Sequence, residues 1–357
     1  MLPEYYKNIP QDELHERIEV ARKKLGKDVF ILGHHYQRDS VIEHVDATGD
    51  SLKLSLIAGE QDAAKYIVFC GVHFMAETAD IVNHGKKIVT LPDETAGCPM
   101  ADSAQDKMVR RSWDRLTELM PEARICPITY INSYATLKAF CGENEGTVCT
   151  STNAKDVLIW ALKEFDKVFF FPDQHLGRNT AKMLGIPKDE IVLLTRKTTD
   201  EELKKAKVIL WNGCCPVHDR FQLADVEAAR KENPEIKVLV HPEVPEEVAD
   251  AADFMGSTEY IIRMIENAEP GSAWLVATEV HLVGRLAKNH PDKNIKLLGS
   301  PICMCSMMDR TSPEHLLWNL EGLLKGEVIN QISVDREVAE QANVAIQRMF
   351  ELTKKVD

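Results

Sequence analysis

The chain has 357 residues, 44% hydrophobic and 28% charged, enough for two or three compact domains with cores of their own. Its 43 basic and 56 acidic residues leave a formal charge of −13, which excludes the basic footprint of a nucleic-acid binder. The longest apolar run, Val157–Leu162, is far short of a membrane span, and the charged start lacks the apolar core of a secretory signal, so a cytoplasmic protein with no membrane partner is expected.

In chain order, an amphipathic helix is predicted over Asp12–Leu25. Strand runs VFILGHHY, YIVFCG and KKIVTLP then alternate with the helix-period segments SVIEHV, SLKLSLIAG and MAETADIVNHG. The same alternation recurs from RICPITYI to KVILWNGCC, and again from KVLVHPE to IKLLGSPICMC. Short apolar strands alternating with helices predict an α/β fold with parallel sheets, here three similar α/β domains related by pseudo-threefold symmetry around a central site. The expected boundaries are 1–100, 101–216 and 217–305. After these, Ser312 is a candidate N-cap with Pro313 at the first helical position, a helix follows over Glu314–Leu324, and a last helix runs from Arg336 to about Lys355. The tail 306–357 is expected to pack back on the first domain.

A ruler runs through the three repeats. His34 stands 64 residues before Cys98, and His241 stands 64 residues before Cys305. Tyr130 stands 85 residues before Cys215, with a longer insert. Each polar anchor ends an apolar run, and each is followed by a small-residue signature with a hydroxyl: Ser51, Ser151, and Ser257 with Thr258. Repetition at a fixed period implies a repeated supersecondary unit, whose ligand groups collect at the carboxyl ends of strands. Of the 9 cysteines, Cys70, Cys126 and Cys149 read as buried small hydrophobes, whereas Cys98, Cys215 and Cys305 fall in turns beyond strands. Three lone thiolates meeting at one point suit a cubane iron–sulfur cluster with one open iron; spacing alone leaves zinc, or no metal, open. His15, His84, His290 and His315 read as ordinary core or surface histidines.

The segments GHHYQ, GDSLKLS, FCGVHFMAETA, PDETAGCPMADS, TYINS, CTSTNA, FPDQHLG, WNGCCPVH, HPEVPEEV, GSTEYI and CSMM carry a resemblance that spans nearly the whole chain. They closely resemble quinolinate synthase, the A protein of de novo NAD biosynthesis. The resemblance implies a transferase that condenses iminoaspartate with dihydroxyacetone phosphate to form quinolinate, releasing phosphate and two waters. It implies a [4Fe-4S] cluster on Cys98, Cys215 and Cys305, and a functional link to L-aspartate oxidase as the source of iminoaspartate. Cys214 falls out of register, and Val244 stands where many relatives carry a cysteine.

By motif position, His34 and Tyr36 handle the triose chain, and Ser51 and Ser151 donate to phosphate or carboxylate oxygens. Tyr130 and Asn132 orient a hydroxyl or carbonyl. His241 and Glu243 form the expected acid/base pair, and Ser257 and Thr258 bind a carboxylate. Helix capping competes as a role for Ser51 and Ser257. The rival functional readings are an aconitase-like iron–sulfur dehydratase and a three-lobed metal-binding module with structural zinc.

Overall fold

In the computed structural model, which describes residues 1–61, 63–299 and 303–353, the chain forms two compact units. One comprises Met1–Cys98 with Met304–Arg336, and the other Pro99–Cys303 with the chain from Glu337 onward.

The first unit holds β1 (Val29–His34), β2 (Ala47–Gly49), β3 (Tyr66–Cys70) and β4 (Ile88–Thr90), paired in parallel in the order β2-β1-β3-β4. The second unit holds two parallel sheets. One contains β5 (Ile125–Tyr130), β6 (Thr147–Cys149), β7 (Lys167–Phe171), β8 (Ile191–Leu194) and β9 (Val208–Trp211), in the order β6-β5-β7-β9-β8. The other contains β10 (Lys237–Val240), β11 (Phe254–Met255), β12 (Ala273–Ala277) and β13 (Asn294–Leu297), in the order β11-β10-β12-β13. A last strand, β14 (Gln331–Ile332), pairs antiparallel with β4. The three mostly parallel sheets match the expected α/β class. Strands such as β3 and β5 are buried at every position, which is why they read as unbroken apolar runs rather than alternating ones.

All three sheets start alike, with the first strand flanked by the second and the third. The longer middle ruler has a structural cause. Between β7 and β9, which pair directly, the chain detours through a short turn at Lys188–Glu190, strand β8 on the sheet edge and a helix at Asp200–Lys205. Among the described residues, neither other sheet has this detour.

The helix at Gln11–Leu25 buries Leu14, Ile18 and Ala21. The helix at Pro313–Leu324 is capped by Ser312, whose hydroxyl accepts the His315 N–H at 3.4 Å. One expectation about the tail needs correction. The last helix, Arg336–Thr353, goes with the second unit rather than the first. Its buried stripe of Ala342, Ala345, Ile346 and Met349 is accompanied by hydrogen bonds from Thr147 Oγ1 to the Ala345 carbonyl (3.2 Å) and from Asn153 Nδ2 to Thr353 Oγ1 (2.8 Å). Its expected end near Lys355, and the stretch 300–302 before the third cysteine, lie outside the described residues.

Candidate active site

Strand register puts the polar anchors and the hydroxyl signatures side by side. His34 pairs with Gly49, two residues before Ser51, and Tyr130 pairs with Cys149, two residues before Ser151. Val240 pairs with Met255, so His241 comes level with Gly256, just before Ser257. Each pair lies at the carboxyl end of its strands, where parallel sheets place their ligands.

In the first unit, His34 is buried, and its Nδ1 accepts the Tyr36 N–H at 3.1 Å. The two rings meet edge to face, 4.7 Å apart. The loop after β1 is bonded to the segment after Cys305. Gln37 Nε2 donates to the Met308 carbonyl at 3.0 Å, and Arg38 Nη2 to the Asp309 carbonyl at 2.6 Å. Arg310 Nε donates in turn to Thr95 Oγ1 at 2.8 Å, three residues before Cys98. The loops bearing His34, Tyr36, Cys98 and Cys305 thus form one hydrogen-bonded set. Ser51 does not cap its helix; Asp50 does, accepting the Lys53 N–H at 2.9 Å.

The second unit gathers a denser group. Glu243, His241, His218 and Tyr130 are all less than 5% exposed. His218 Nδ1 lies 2.8 Å from Glu243 Oε2 and 3.3 Å from Cys215 Sγ, and its Nε2 lies 3.1 Å from Thr278 Oγ1. His218 and His241 stack at 4.6 Å. The expected pair is looser than predicted, with His241 Nδ1 3.9 Å from Glu243 Oε1, so His218 rather than His241 is the direct partner of Glu243. Spacing reasoning gave His218 no role, although the CxxH pair Cys215–His218 signalled it. Asp173 was missed as well. It caps the helix at Gln174–Met183 through the Leu176 N–H (2.7 Å) and accepts the Cys215 N–H at 3.1 Å, fixing the cysteine loop.

Burial pushes His241 down to about 3, with His218 adding to the effect, so its imidazole is neutral near pH 7. Burial works to raise Glu243, but its neighbours hold it well below the usual carboxylate range. His241 and His218 act on it first, and hydrogen bonds from His218 and Tyr130 add to the effect. Asp173 is driven the other way, first by burial and then by the charge of Glu243. The two carboxyls are thus pushed in opposite directions, Asp173 up and Glu243 down, a division typical of acid/base sites.

Two predicted residues carry buried side-chain oxygens with no protein partner among the described residues: Asn132 Oδ1 and Thr258 Oγ1. An orphaned buried oxygen is costly unless a ligand completes it. Ser257 caps the helix at Thr258–Glu266, accepting the Tyr260 N–H at 3.3 Å. Ser151 and Ser257 line a common cavity of about 190 Å³, together with Lys155, Thr180, Pro242 and Arg263.

The cysteines divide by environment. Burial pushes the thiols of Cys70, Cys141, Cys149 and Cys303 up, and those of Cys126 and Cys214 up to about 12. Cys98, Cys215 and Cys305, like Cys214, are half-buried in loops.

A family model described as quinolinate synthetase A protein matches residues 16–351. The chain belongs to the quinolinate synthase family. Quinolinate synthases of Bacillus anthracis, Bacillus cereus and Bacillus thuringiensis subsp. konkukian are each 47% identical over 355 residues, covering 98% of this chain and 96% of the relative. No described helix is long and apolar enough to cross a membrane. Cys215, His218 and Glu243 offer donor atoms within 4.8 Å of one another, so the cysteine expected to bind metal in this family stands among groups able to do so.

Proposed function

We propose that this chain is an enzyme of NAD biosynthesis, a transferase that condenses iminoaspartate with dihydroxyacetone phosphate to form quinolinate, releasing phosphate and two waters. The family match over nearly the whole chain carries this reading. The buried His218–Glu243 contact and the unpartnered side-chain oxygens of Asn132 and Thr258 support it.

The half-buried loop thiols of Cys98, Cys215 and Cys305 fit a soft-metal group, and these residues would hold the [4Fe-4S] cluster. Bound there, such a cluster would supply Lewis-acid chemistry that assists loss of a hydroxyl. The protein's own groups do the rest. Ionised Glu243 takes a proton from a substrate carbon or nitrogen, and His218 holds the carboxylate in place through its 2.8 Å contact. His241, neutral near pH 7, offers a ring nitrogen to hydrogen-bond and orient the substrate beside Glu243. Tyr130 and Asn132 orient the substrate oxygens, with Asn132 Oδ1 left to accept from a hydroxyl or imine N–H. Thr258 Oγ1 and the Ser257 helix start suit a carboxylate of the imine, since helix N-termini favour anions. Ser51 and Ser151 donate to phosphate or carboxylate oxygens, and His34 with Tyr36 contacts the triose.

The test is anaerobic incubation of brown, iron-loaded protein with dihydroxyacetone phosphate and iminoaspartate generated by L-aspartate oxidase. Formation of a pyridine dicarboxylate is expected. A colourless protein, or dehydration of a hydroxy acid without ring formation, would support the zinc module or the aconitase-like dehydratase instead.

A further inference from the structure

Away from the carboxyl strand ends, the first unit carries a second cluster of ligating atoms. His15, on the helix at Gln11–Leu25, places Nδ1 2.6 Å from His44 Nε2 and 3.1 Å from Glu43 Oε1. All three residues offer donor atoms within 4.8 Å of one another. The second nitrogen of His44, Nδ1, lies 2.7 Å from Glu19 Oε1. Arg22 Nη1 donates to that same oxygen at 3.0 Å and its Nη2 to Asp46 Oδ1 at 2.7 Å, while Asp46 Oδ2 accepts the Ile31 N–H of β1 at 2.7 Å. The cluster is therefore anchored to β1 through a chain of alternating charges.

That chain sets the chemistry of His44. With Glu19 Oε1 accepting from His44 Nδ1, the other ring nitrogen, Nε2, is left facing His15 and Glu43. A carboxylate behind an imidazole is the arrangement that fixes tautomer and basicity in metal-binding histidines.

We propose that His15, His44 and Glu43 bind one zinc-class divalent cation, which clips the first long helix to the turn before β2. Two imidazoles and one carboxylate suit Zn²⁺, with water as fourth ligand; Ca²⁺ and Mg²⁺ prefer all-oxygen sites. Tetrahedral zinc with bonds of about 2.0–2.1 Å needs its two nitrogens roughly 3.3 Å apart, so the imidazoles must separate by under about 1 Å. His15 can supply that movement, because its side chain is 28% exposed, whereas His44 is 5% exposed and held by Glu19. The cation would enter from solvent past Glu43, whose side chain is 56% exposed.

The test titrates Zn²⁺ into full-length, anaerobically prepared protein against a chromophoric chelator, alongside His15→Ala, Glu43→Gln, Glu19→Gln and Cys214→Ser. Cys214→Ser removes a second candidate ligand set, His175, Cys214 and Asp219, apart from the Cys215–His218–Glu243 group. Wild type and Cys214→Ser should take up one more equivalent of zinc than His15→Ala, and Glu19→Gln should hold it about 10- to 100-fold more weakly. Zinc should also raise the unfolding temperature of wild type but not of His15→Ala. If His15→Ala lost helix content, the exposed Glu43→Gln would carry the comparison. Equal zinc uptake and affinity in wild type, His15→Ala and Glu43→Gln would overturn the proposal and leave a proton-sharing histidine pair. So would an absence of zinc uptake by wild type.

Discussion

The side-chain amide of Asn179 donates to the carbonyl oxygen of Pro242 at 2.9 Å and to that of Val244, also at 2.9 Å. The two bonds bracket Glu243, so a buried residue of the helix at Gln174–Met183 sets the backbone of the residue proposed as base. Asn179→Ala strands two carbonyls, each costing about 1–3 kcal/mol if no water replaces the amide. The expected result is lower thermal stability and lower kcat with little change in KM. Steady-state kinetics and a thermal melt check this; wild-type kcat would show that the bracket has no bearing on turnover.

Glu243→Gln keeps the shape of the side chain and removes its charge. Loss of a general base typically costs about 10² to 10⁴ in rate. We expect a loss of that size with iron content unchanged, and His241→Ala should also lower kcat. Near-normal turnover at full iron loading in either variant would reduce that residue to a packing role.

The cysteines give the clearest separation. Cys98→Ser, Cys215→Ser and Cys305→Ser should each lose iron and quinolinate formation, because iron–sulfur clusters need thiolate ligands. Cys214→Ser and Cys303→Ser should keep most of both. Iron and sulfide assays on the five variants decide it. Loss of iron in Cys303→Ser with retention in Cys305→Ser would move the third ligand.

His241 predicts a pH dependence of stability. Its ordinary value is 6.5, and in the folded protein it falls to about 3. As pH drops through that window, the unfolded chain binds a proton that the folded chain refuses. Stability therefore falls toward acid, by about 1.4 kcal/mol per pH unit for one proton. Denaturant midpoints between pH 6.5 and 4.5 should slope less steeply in His241→Asn than in wild type. Parallel slopes would mean that His241 is already protonated in the folded protein.

Much of this was legible because parallel β/α units repeat their strand-end chemistry at fixed spacing. His34, Tyr130 and His241 fall where the ruler put them, and the 85-residue interval is lengthened by β8 and its flanking helix. His218 was not legible as the partner of Glu243, because that 2.8 Å contact joins the loop after β9 to the loop after β10 and has no period. The last helix misled for a similar reason. Its stripe of Ala342, Ala345 and Ile346 shows that a face is buried but not which sheet covers it.

Thr258 separates a ligand-binding role from a structural one. Its Oγ1 is buried without a protein partner among the described residues, at the start of a helix capped by Ser257. Thr258→Val replaces that hydroxyl with a methyl group of similar size. If the hydroxyl serves only packing, removing an unsatisfied buried oxygen should leave the free protein as stable or more so, with kinetics unchanged. If it completes a carboxylate site, stability should still hold or rise, but KM for the imine substrate should increase, by about 3- to 30-fold for a lost hydrogen bond worth roughly 0.5–2 kcal/mol. Thr258→Ser keeps the hydroxyl and should restore KM. Paired melts and kinetics on the two variants test this; unchanged KM in Thr258→Val removes the residue from the site.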